Sequence, residues 1–227
     1  MIQEIIPSQE KLPFFLPITK TFSAHLKLEF LPDHLLKYAQ ENFESMFGLH
    51  PQSRGKVIMQ KEEVESKRWH KSYLQTPKYD GSIHNLSYMY SGFECDSPEL
   101  PREFSCFLNF LNLKSGEKNF NQVIVNWYEN GSDFTPYHSD CTKNLLPNSE
   151  IVILTLNDTQ QDQERLFTLK AKRTEKDTIY QKINILTENG LILSMCGDTQ
   201  AKYRHSLPKM ITQMRRISIT FRKVIET

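Results

Sequence analysis

Residues 136–140 read PYHSD and follow the run NQVIVNWYENG, which is typical of a β-strand and its turn. His138 and Asp140 are two positions apart, so on an extended backbone both side chains lie on the same face. An imidazole and a carboxylate on one face are ligands that a metal ion can share, although such a pair is also common in surface turns. The metal interpretation therefore depends on what the rest of the chain supplies.

A second histidine, His205, precedes a segment that carries two arginines on one face. In RISITFR, residues 216–222, apolar and polar side chains alternate, so Arg216 and Arg222 point to the same side of a strand. If that side lines a barrel interior, two buried guanidinium groups require an anion. The strand length leaves about 6–8 Å between their tips, which suits a short dicarboxylate. The alternative is an edge strand with solvated arginines.

Two histidines, one carboxylate and two arginines together describe a non-haem iron site. A 2-His-1-carboxylate set occupies one face of an octahedron and leaves three positions open, two for a 2-oxo acid and one for dioxygen. Oxygen chemistry on an unactivated C–H bond needs such a centre, because no protein side chain performs it alone. The residues thus predict Fe(II), a 2-oxo acid and O2 as the reacting set.

The elements that position these residues are mostly short strands from residue 121 onward. Turn sequences such as NGSD, LPNS, ENG and GDTQ separate them, and this pattern predicts an antiparallel sandwich or jelly roll. The N-terminal half carries two amphipathic helices, one over PDHLLKYAQENFESMFG with Asp33 as its cap and one over LPREFSCFLNFLN. VIMQKEEV is predicted as a strand, and residues 1–31 as extended and irregular.

Composition limits the class of protein. A chain of 227 residues with 38% hydrophobic residues is expected to fold as a single domain. The net charge of +1 does not by itself indicate a polyanionic partner. Four cysteines without a pairing rhythm indicate reduced thiols, and we read no signal peptide or membrane anchor. We therefore expect an intracellular, non-secreted monomer with no membrane partner.

Four motifs in the second half of the chain, taken together, resemble those of a known family. The motifs NWY at 126–128, HSD at 138–140, YRHSLPK at 203–209 and RISITFR at 216–222 resemble, in this order, the AlkB family of Fe(II)/2-oxoglutarate dioxygenases, above all its nucleic-acid repair branch. The resemblance implies an α+β, mainly β fold with a double-stranded β-helix (jelly roll) core at 121–227. Residues 1–120 would form an N-terminal extension with helices and a nucleotide-recognition lid.

The resemblance also implies roles for individual residues. The iron ligands and catalytic centre would be His138, Asp140 and His205. The 2-oxoglutarate site would comprise Asn126, Tyr128, Arg216, Ser218 and Arg222, with Arg216 on the far carboxylate and Arg222 on the near one. Ser218 stands where the family usually has asparagine, so we expect weaker support of the co-substrate. Family members oxidise the N-alkyl carbon of a damaged base, which leaves as formaldehyde, while 2-oxoglutarate becomes succinate and carbon dioxide.

The expected partner is alkylated DNA or RNA, with the target base flipped out of the stack. Flipped bases are held by aromatic stacking, and phosphates by cations. The basic and aromatic stretch that begins KRWHKSY therefore predicts substrate contacts. The predicted base contacts are Arg68, Trp69, Tyr73 and Tyr90. At the rim, the predicted phosphate contacts are Arg204, Lys170, Lys172 and Arg173. A role in the strand core is an equal alternative for Tyr90.

Two further readings stay open. Repair members often have an acidic residue directly after the iron aspartate, whereas this chain has Cys141. Because of this difference, a second interpretation is a 2-oxoglutarate-dependent hydroxylase or demethylase that acts on a protein side chain or a small molecule, since one fold hosts many substrates. A silent binding module that retains the barrel is the third reading, and the intact ligand set argues against it.

Overall fold

A computed structural model describes residues 1–7, 13–59, 62–74, 88–90, 93–95, 98–115, 120–158 and 164–225, without side chains at 58–59, 88–90 and 93–95. Most of these residues lie in two β-sheets. Four helices accompany the sheets in the described ranges: α1 (Asp33–Glu41), α2 (Phe43–Phe47), α3 (Arg102–Ser115) and α4 (Thr199–Lys202). None of the helices in these ranges is both long enough and apolar enough to span a membrane.

The smaller sheet has five strands and carries two of the three candidate metal ligands. Its strands, in spatial order, are β1 (Ile2–Ile5), β13 (Lys182–Thr187), β12 (Arg165–Ala171), β15 (Tyr203–Leu207) and β10 (Thr135–His138). All neighbours are antiparallel except β1 and β13, which run parallel. β10 therefore forms one edge of the sheet, with His138 as its last residue.

The larger sheet has seven strands and carries the two candidate arginines. In spatial order the strands are β2 (Phe14–Pro17), β3 (Ala24–Phe30), β14 (Leu191–Gly197), β11 (Ile151–Asn157), β16 (Arg216–Arg222), β9 (Gln122–Tyr128) and β6 (Trp69–Leu74), all antiparallel. Two separate hairpins pair β4 (Lys56–Met59) with β5 (Glu62–Glu65) and β7 (Tyr88–Tyr90) with β8 (Phe93–Cys95).

Strand alternation divides the apolar residues between two cores. One core lies between the sheets and includes Ile153 and Leu169. The other lies between the seven-stranded sheet and the helices and includes Trp127 and Phe107. On β16 the apolar side chains join the helix-side core, so Arg216 and its alternate neighbours face the space between the sheets. This confirms the predicted jelly-roll fold class and the predicted division of that strand.

Several local predictions differ from the structure. The first predicted helix is two helices, and Pro32, not Asp33, occupies its cap position without a side-chain hydrogen bond. Asp33 lies in the first turn, where a negative charge favours the helix dipole. The segment VIMQKEEV spans parts of two strands, β4 and β5, not one.

The N-terminal residues also contribute more to the sheets than expected. Residues 1–31 are predicted as extended and irregular, and the extended part is right: they supply β1, β2 and β3. The irregular part is wrong, because β1 pairs with β13 and β3 with β14 despite the prolines that interrupt the sequence pattern. β6 likewise pairs with β9. The predicted boundary at residue 121 is therefore not a boundary of the sheets.

Candidate active site

His138, Asp140 and His205 come together at the edge of the five-stranded sheet. Register places His138 on β10 directly opposite His205 on β15, and their ring centroids are 4.2 Å apart. Asp140 Oδ1 lies 3.5 Å from His138 Nε2 and 3.7 Å from His205 Nε2. One ligand atom from each residue lies within 4.8 Å of the others. Two imidazole nitrogens and one carboxylate oxygen form the donor set that non-haem Fe(II) takes.

Both imidazoles have the electronic form that a metal ligand needs. His138 Nδ1 lies 3.0 Å from the carbonyl oxygen of Pro136. Because a carbonyl only accepts, this contact favours the tautomer with the proton on Nδ1 and the lone pair on Nε2. Burial, together with the neighbouring charge of His138, lowers the pKa of His205 to about 3. The His205 ring is therefore neutral at pH 7, and the ring of Phe167 stacks on it at 5.4 Å.

Asp140 is held in place by its own backbone and ionised by its surroundings. Its N–H donates to Gln200 Oε1 at 2.9 Å. Burial favours the neutral acid, but Arg222 and the two histidine rings in their protonated forms at low pH favour the carboxylate more strongly, so the pKa of Asp140 lies below its usual range. Arg222, the last residue of β16, is buried and donates to the carbonyl of Cys141, the residue after Asp140.

Arg216 lies at the other end of β16 and is the second charged feature of the cavity. The residue is 1% exposed, and its guanidinium donates to Thr155 Oγ1 at 2.9 Å and to Thr187 Oγ1. Burial, with Arg165 nearby, lowers its pKa to about 9, so it stays charged at neutral pH. Among the described residues its Nε has no hydrogen-bond partner. A buried charge with an unused donor fits a bound carboxylate.

The polar residues of β9 face the same space as Arg216. Register places Tyr128 opposite Arg216 and Asn126 opposite Ser218, and all four line one cavity together with the three candidate metal ligands. The Tyr128 hydroxyl is hydrogen-bonded to Thr135 Oγ1 at 2.8 Å. The cavity thus has the His–Asp–His set on one wall and a buried cation on the other. A dicarboxylate that contacts a metal at one end and a cation at the other would require this arrangement.

Of the predicted substrate contacts on and beside β6, one lines the cavity and two lie on the other face of the strand. Arg68 lines the cavity, but its Nε donates to Asn126 Oδ1 at 2.7 Å, so it reaches the predicted co-substrate residues. Trp69 and Tyr73 belong to the helix-side core, on the face of β6 opposite Arg68. The placement expected for these two aromatic residues is therefore corrected: a strand that turns Arg68 inward turns Trp69 outward.

Of the other two predicted substrate residues, Arg204 lies away from the cavity and Tyr90 remains untested. Arg204 is exposed on β15, on the opposite face of the strand from its neighbour His205. Tyr90 lies in β7, and its side chain is outside the described part of the chain. Among the residues that the structure describes, Arg68 is the one member of the predicted substrate set that lines the cavity.

Several residues that support the site carried no clear sequence signal. Thr155 and Thr187 hold Arg216, and Gln200 holds Asp140. Arg165 is fully buried, lies 5.4 Å from the Tyr128 ring and donates to the carbonyls of Asp133 and Pro208 at 2.7 Å. Only the alternation of Arg165, Phe167, Leu169 and Ala171 in ERLFTLKA could have indicated that Arg165 faces inward.

Comparison with known proteins agrees with this geometry. Residues 28–222 match the model of the 2OG-Fe(II) oxygenase superfamily. The chain belongs to this superfamily of oxidoreductases. A crystal structure titled as an oxidoreductase of the 2OG-Fe(II) oxygenase family from Burkholderia pseudomallei has the same fold, with a TM-score of 0.51, 10% identity and coverage of 86% of this chain and 84% of that one.

Curated relatives of this 2OG-Fe(II) oxygenase carry AlkB names, which confirms the resemblance seen in the motifs. "Alpha-ketoglutarate-dependent dioxygenase alkB homolog 3" from Bos taurus is 28% identical over 66% of this chain and 52% of its own length. The Homo sapiens protein of the same name is 27% identical over the same shares. "DNA oxidative demethylase ALKBH2" from Arabidopsis thaliana is 28% identical over 47% of this chain and 38% of its own. The match thus spans about half the length of the first two relatives.

Proposed function

We propose that this chain is an Fe(II)/2-oxoglutarate-dependent dioxygenase that oxidatively removes N-alkyl groups from nucleobases in DNA or RNA. The observation that carries the proposal is the single cavity that contains both the His138–Asp140–His205 set and the buried Arg216. The names of the AlkB relatives support the nucleic-acid substrate. The products would be the dealkylated base, formaldehyde, succinate and carbon dioxide.

The three ligand side chains would hold the metal through His138 Nε2, His205 Nε2 and a carboxylate oxygen of Asp140. The carbonyl of Pro136 and the side chain of Gln200 keep His138 and Asp140 in orientation. When bound, Fe(II) and 2-oxoglutarate together supply the activation of dioxygen that oxidation of an unactivated C–H bond needs.

The residues of β9 and β16 would bind 2-oxoglutarate. Arg216 would pair with the carboxylate far from the metal, in a pocket where water cannot compete for the guanidinium. Tyr128 stands opposite Arg216 in register and would close the pocket around that carboxylate. The charge of Arg222 acts on Asp140, and Arg222 would balance the charge of the 2-oxoglutarate carboxylate that lies near the metal. Asn126 and Ser218 would contribute hydrogen bonds between these two ends.

A direct assay separates this proposal from its alternatives. The full chain is incubated with Fe(II), ascorbate and 2-oxoglutarate, and succinate and formaldehyde are measured with methylated or unmethylated oligonucleotides of DNA and RNA. Formaldehyde that appears only with methylated oligonucleotides, together with faster succinate release, supports the proposal. Succinate release that no oligonucleotide stimulates would favour a protein or small-molecule substrate. No succinate with added Fe(II) would favour a silent binding module.

A further inference from the structure

Three basic residues form a row across the surface of the five-stranded sheet. Lys182 on β13 lies directly opposite Lys170 on β12, and Lys170 lies directly opposite Arg204 on β15. The adjacent pair Leu169 and His205 is buried toward the other sheet, so the row faces away from the barrel interior. We call Lys182, Lys170 and Arg204 the cation row.

The cation row is not neutralised by carboxylates in the described structure. Lys170 and Arg204 are exposed and Lys182 is partly exposed, and none of the three forms an ion pair with a described acidic residue. The nearby Glu175 pairs with Lys202 at 3.0 Å instead. Like charges placed directly opposite each other destabilise a sheet, so three such residues in register suit a surface that meets a polyanion.

The spacing of the row matches a phosphodiester backbone. Neighbouring strands lie about 4.8 Å apart, so the three residues span about 10 Å. One DNA strand carries a phosphate about every 3.4 Å of helix axis, which corresponds to about three successive phosphates over that length. A chain with a net charge of only +1 needs such a local concentration of cations to hold a nucleic acid.

Tyr137 connects the cation row with the candidate active site. This residue of the edge strand β10 is 41% exposed, and Lys170 Nζ lies 5.9 Å from the centroid of its ring. The next residue, His138, is one of the three candidate metal ligands. A nucleic-acid strand that passes over Tyr137 can therefore contact the cation row while one of its nucleotides enters the cavity.

We propose that the cation row binds the sugar–phosphate backbone of the nucleic-acid substrate beside the nucleotide that enters the cavity, an inference that rests on the proposed function. The row acts through charge and not through base identity, because phosphate contacts position a nucleic acid without reading its sequence. Its contribution is therefore equal for methylated and unmethylated strands and is screened by salt.

The test is the salt dependence of oligonucleotide binding to the full, iron-free chain. Fluorescence anisotropy with an unmethylated single-stranded oligonucleotide gives the slope of log K against log salt for the unaltered protein, for Lys170→Gln, and for the triple variant Lys170→Gln, Lys182→Gln, Arg204→Gln. Each lost contact is expected to reduce the slope by about 0.7, equivalent to about five-fold weaker binding at 0.1 M salt, so the triple variant loses about 2 in slope. Lys37→Gln on the exposed side of α1 is the charge-matched control and should leave the slope unchanged.

Three outcomes would overturn the inference: an unchanged slope in a triple variant with an unaltered thermal unfolding curve, an equal loss in Lys37→Gln, or a loss of binding to anionic phospholipid vesicles with oligonucleotide binding retained. Failure of the proposed function is a separate result, because it would appear as absent succinate and formaldehyde from the unaltered chain. An unchanged slope in a protein that still releases formaldehyde from methylated strands would reject the cation row alone.

Discussion

Arg216 on β16 lies directly opposite Tyr128 on β9, six positions along its strand from Arg222. Arg216 is buried against Thr155 and Thr187, and its Nε is unused by the described residues. The neighbouring Arg215 points to the other face, where it pairs with Glu44 and Asp158. Arg215 directly precedes β16 and faces away from the cavity, so it provides a natural control for Arg216.

Replacement of Arg216 should affect 2-oxoglutarate binding above all. Arg216→Met is expected to raise the KM for 2-oxoglutarate by at least about 30-fold, because loss of one partner of a buried charge pair costs about 2 kcal/mol or more. The measurement is succinate release without nucleic acid at increasing 2-oxoglutarate. Arg215→Met should leave that KM within about two-fold. Equal KM values in the unaltered protein and Arg216→Met would show that β16 does not bind the co-substrate.

Loss of a candidate metal ligand should abolish both metal binding and turnover. His138→Ala and Asp140→Ala each remove one of the three candidate ligands among the described residues, so affinity for Fe(II) is expected to fall by at least about 100-fold. Anaerobic titration with Fe(II) measures affinity independently of activity, and a chelator should reproduce the loss in the unaltered protein. His34→Ala, an exposed histidine on α1, is the control. Full Fe(II) affinity in His138→Ala would exclude this site.

Trp69 should contribute to stability and not to base recognition. Its ring stacks on His50 at 4.2 Å, meets Phe47 edge-on and lies 4.3 Å from the Arg54 guanidinium, all on the helix side of β6. Trp69→Ala is therefore expected to lower the free energy of unfolding by about 2–3 kcal/mol. Urea unfolding measures this, and the ratio of turnover with and without oligonucleotide should not change. A selective loss of oligonucleotide-stimulated turnover would restore Trp69 as a substrate contact.

His70 should make stability sensitive to acid. Burial, reinforced by the charges of Arg68 and Lys71, lowers its pKa from 6.5 to about 4. The unfolded chain then binds a proton that the folded chain excludes, so this stability is complete above pH 6.5 and is lost as the pH falls toward 4, by about 3 kcal/mol. Urea unfolding of the iron-free protein at several pH values should show a flatter profile for His70→Gln. Parallel profiles for the two proteins would contradict the assignment.

The sequence alone determined the chemistry of the site to a large extent. Alternation on β16 placed Arg216 and Arg222 on one face, because a strand has a side-chain period of two whatever packs against it. The HSD motif brought His138 and Asp140 together because they are two positions apart in the chain, although β10 ends at His138 and Asp140 lies beyond it. The apolar period of α3 was equally readable, since its buried stripe covers a sheet. These features depend on residues close in sequence.

Tertiary structure decided which face of each strand meets the cavity and which residues support it. The pattern of β6 could not say whether Arg68 or Trp69 turns inward, because both are amphipathic and pairing with β9 makes that choice. Thr187 and Gln200 are separated from Arg216 and Asp140 by 29 and 60 positions, so only sheet packing brings them together. The register of β13, β12 and β15 likewise aligns Lys182, Lys170 and Arg204. Contacts between strands distant in the chain are set by register and packing, and a single sequence carries no local signal for either.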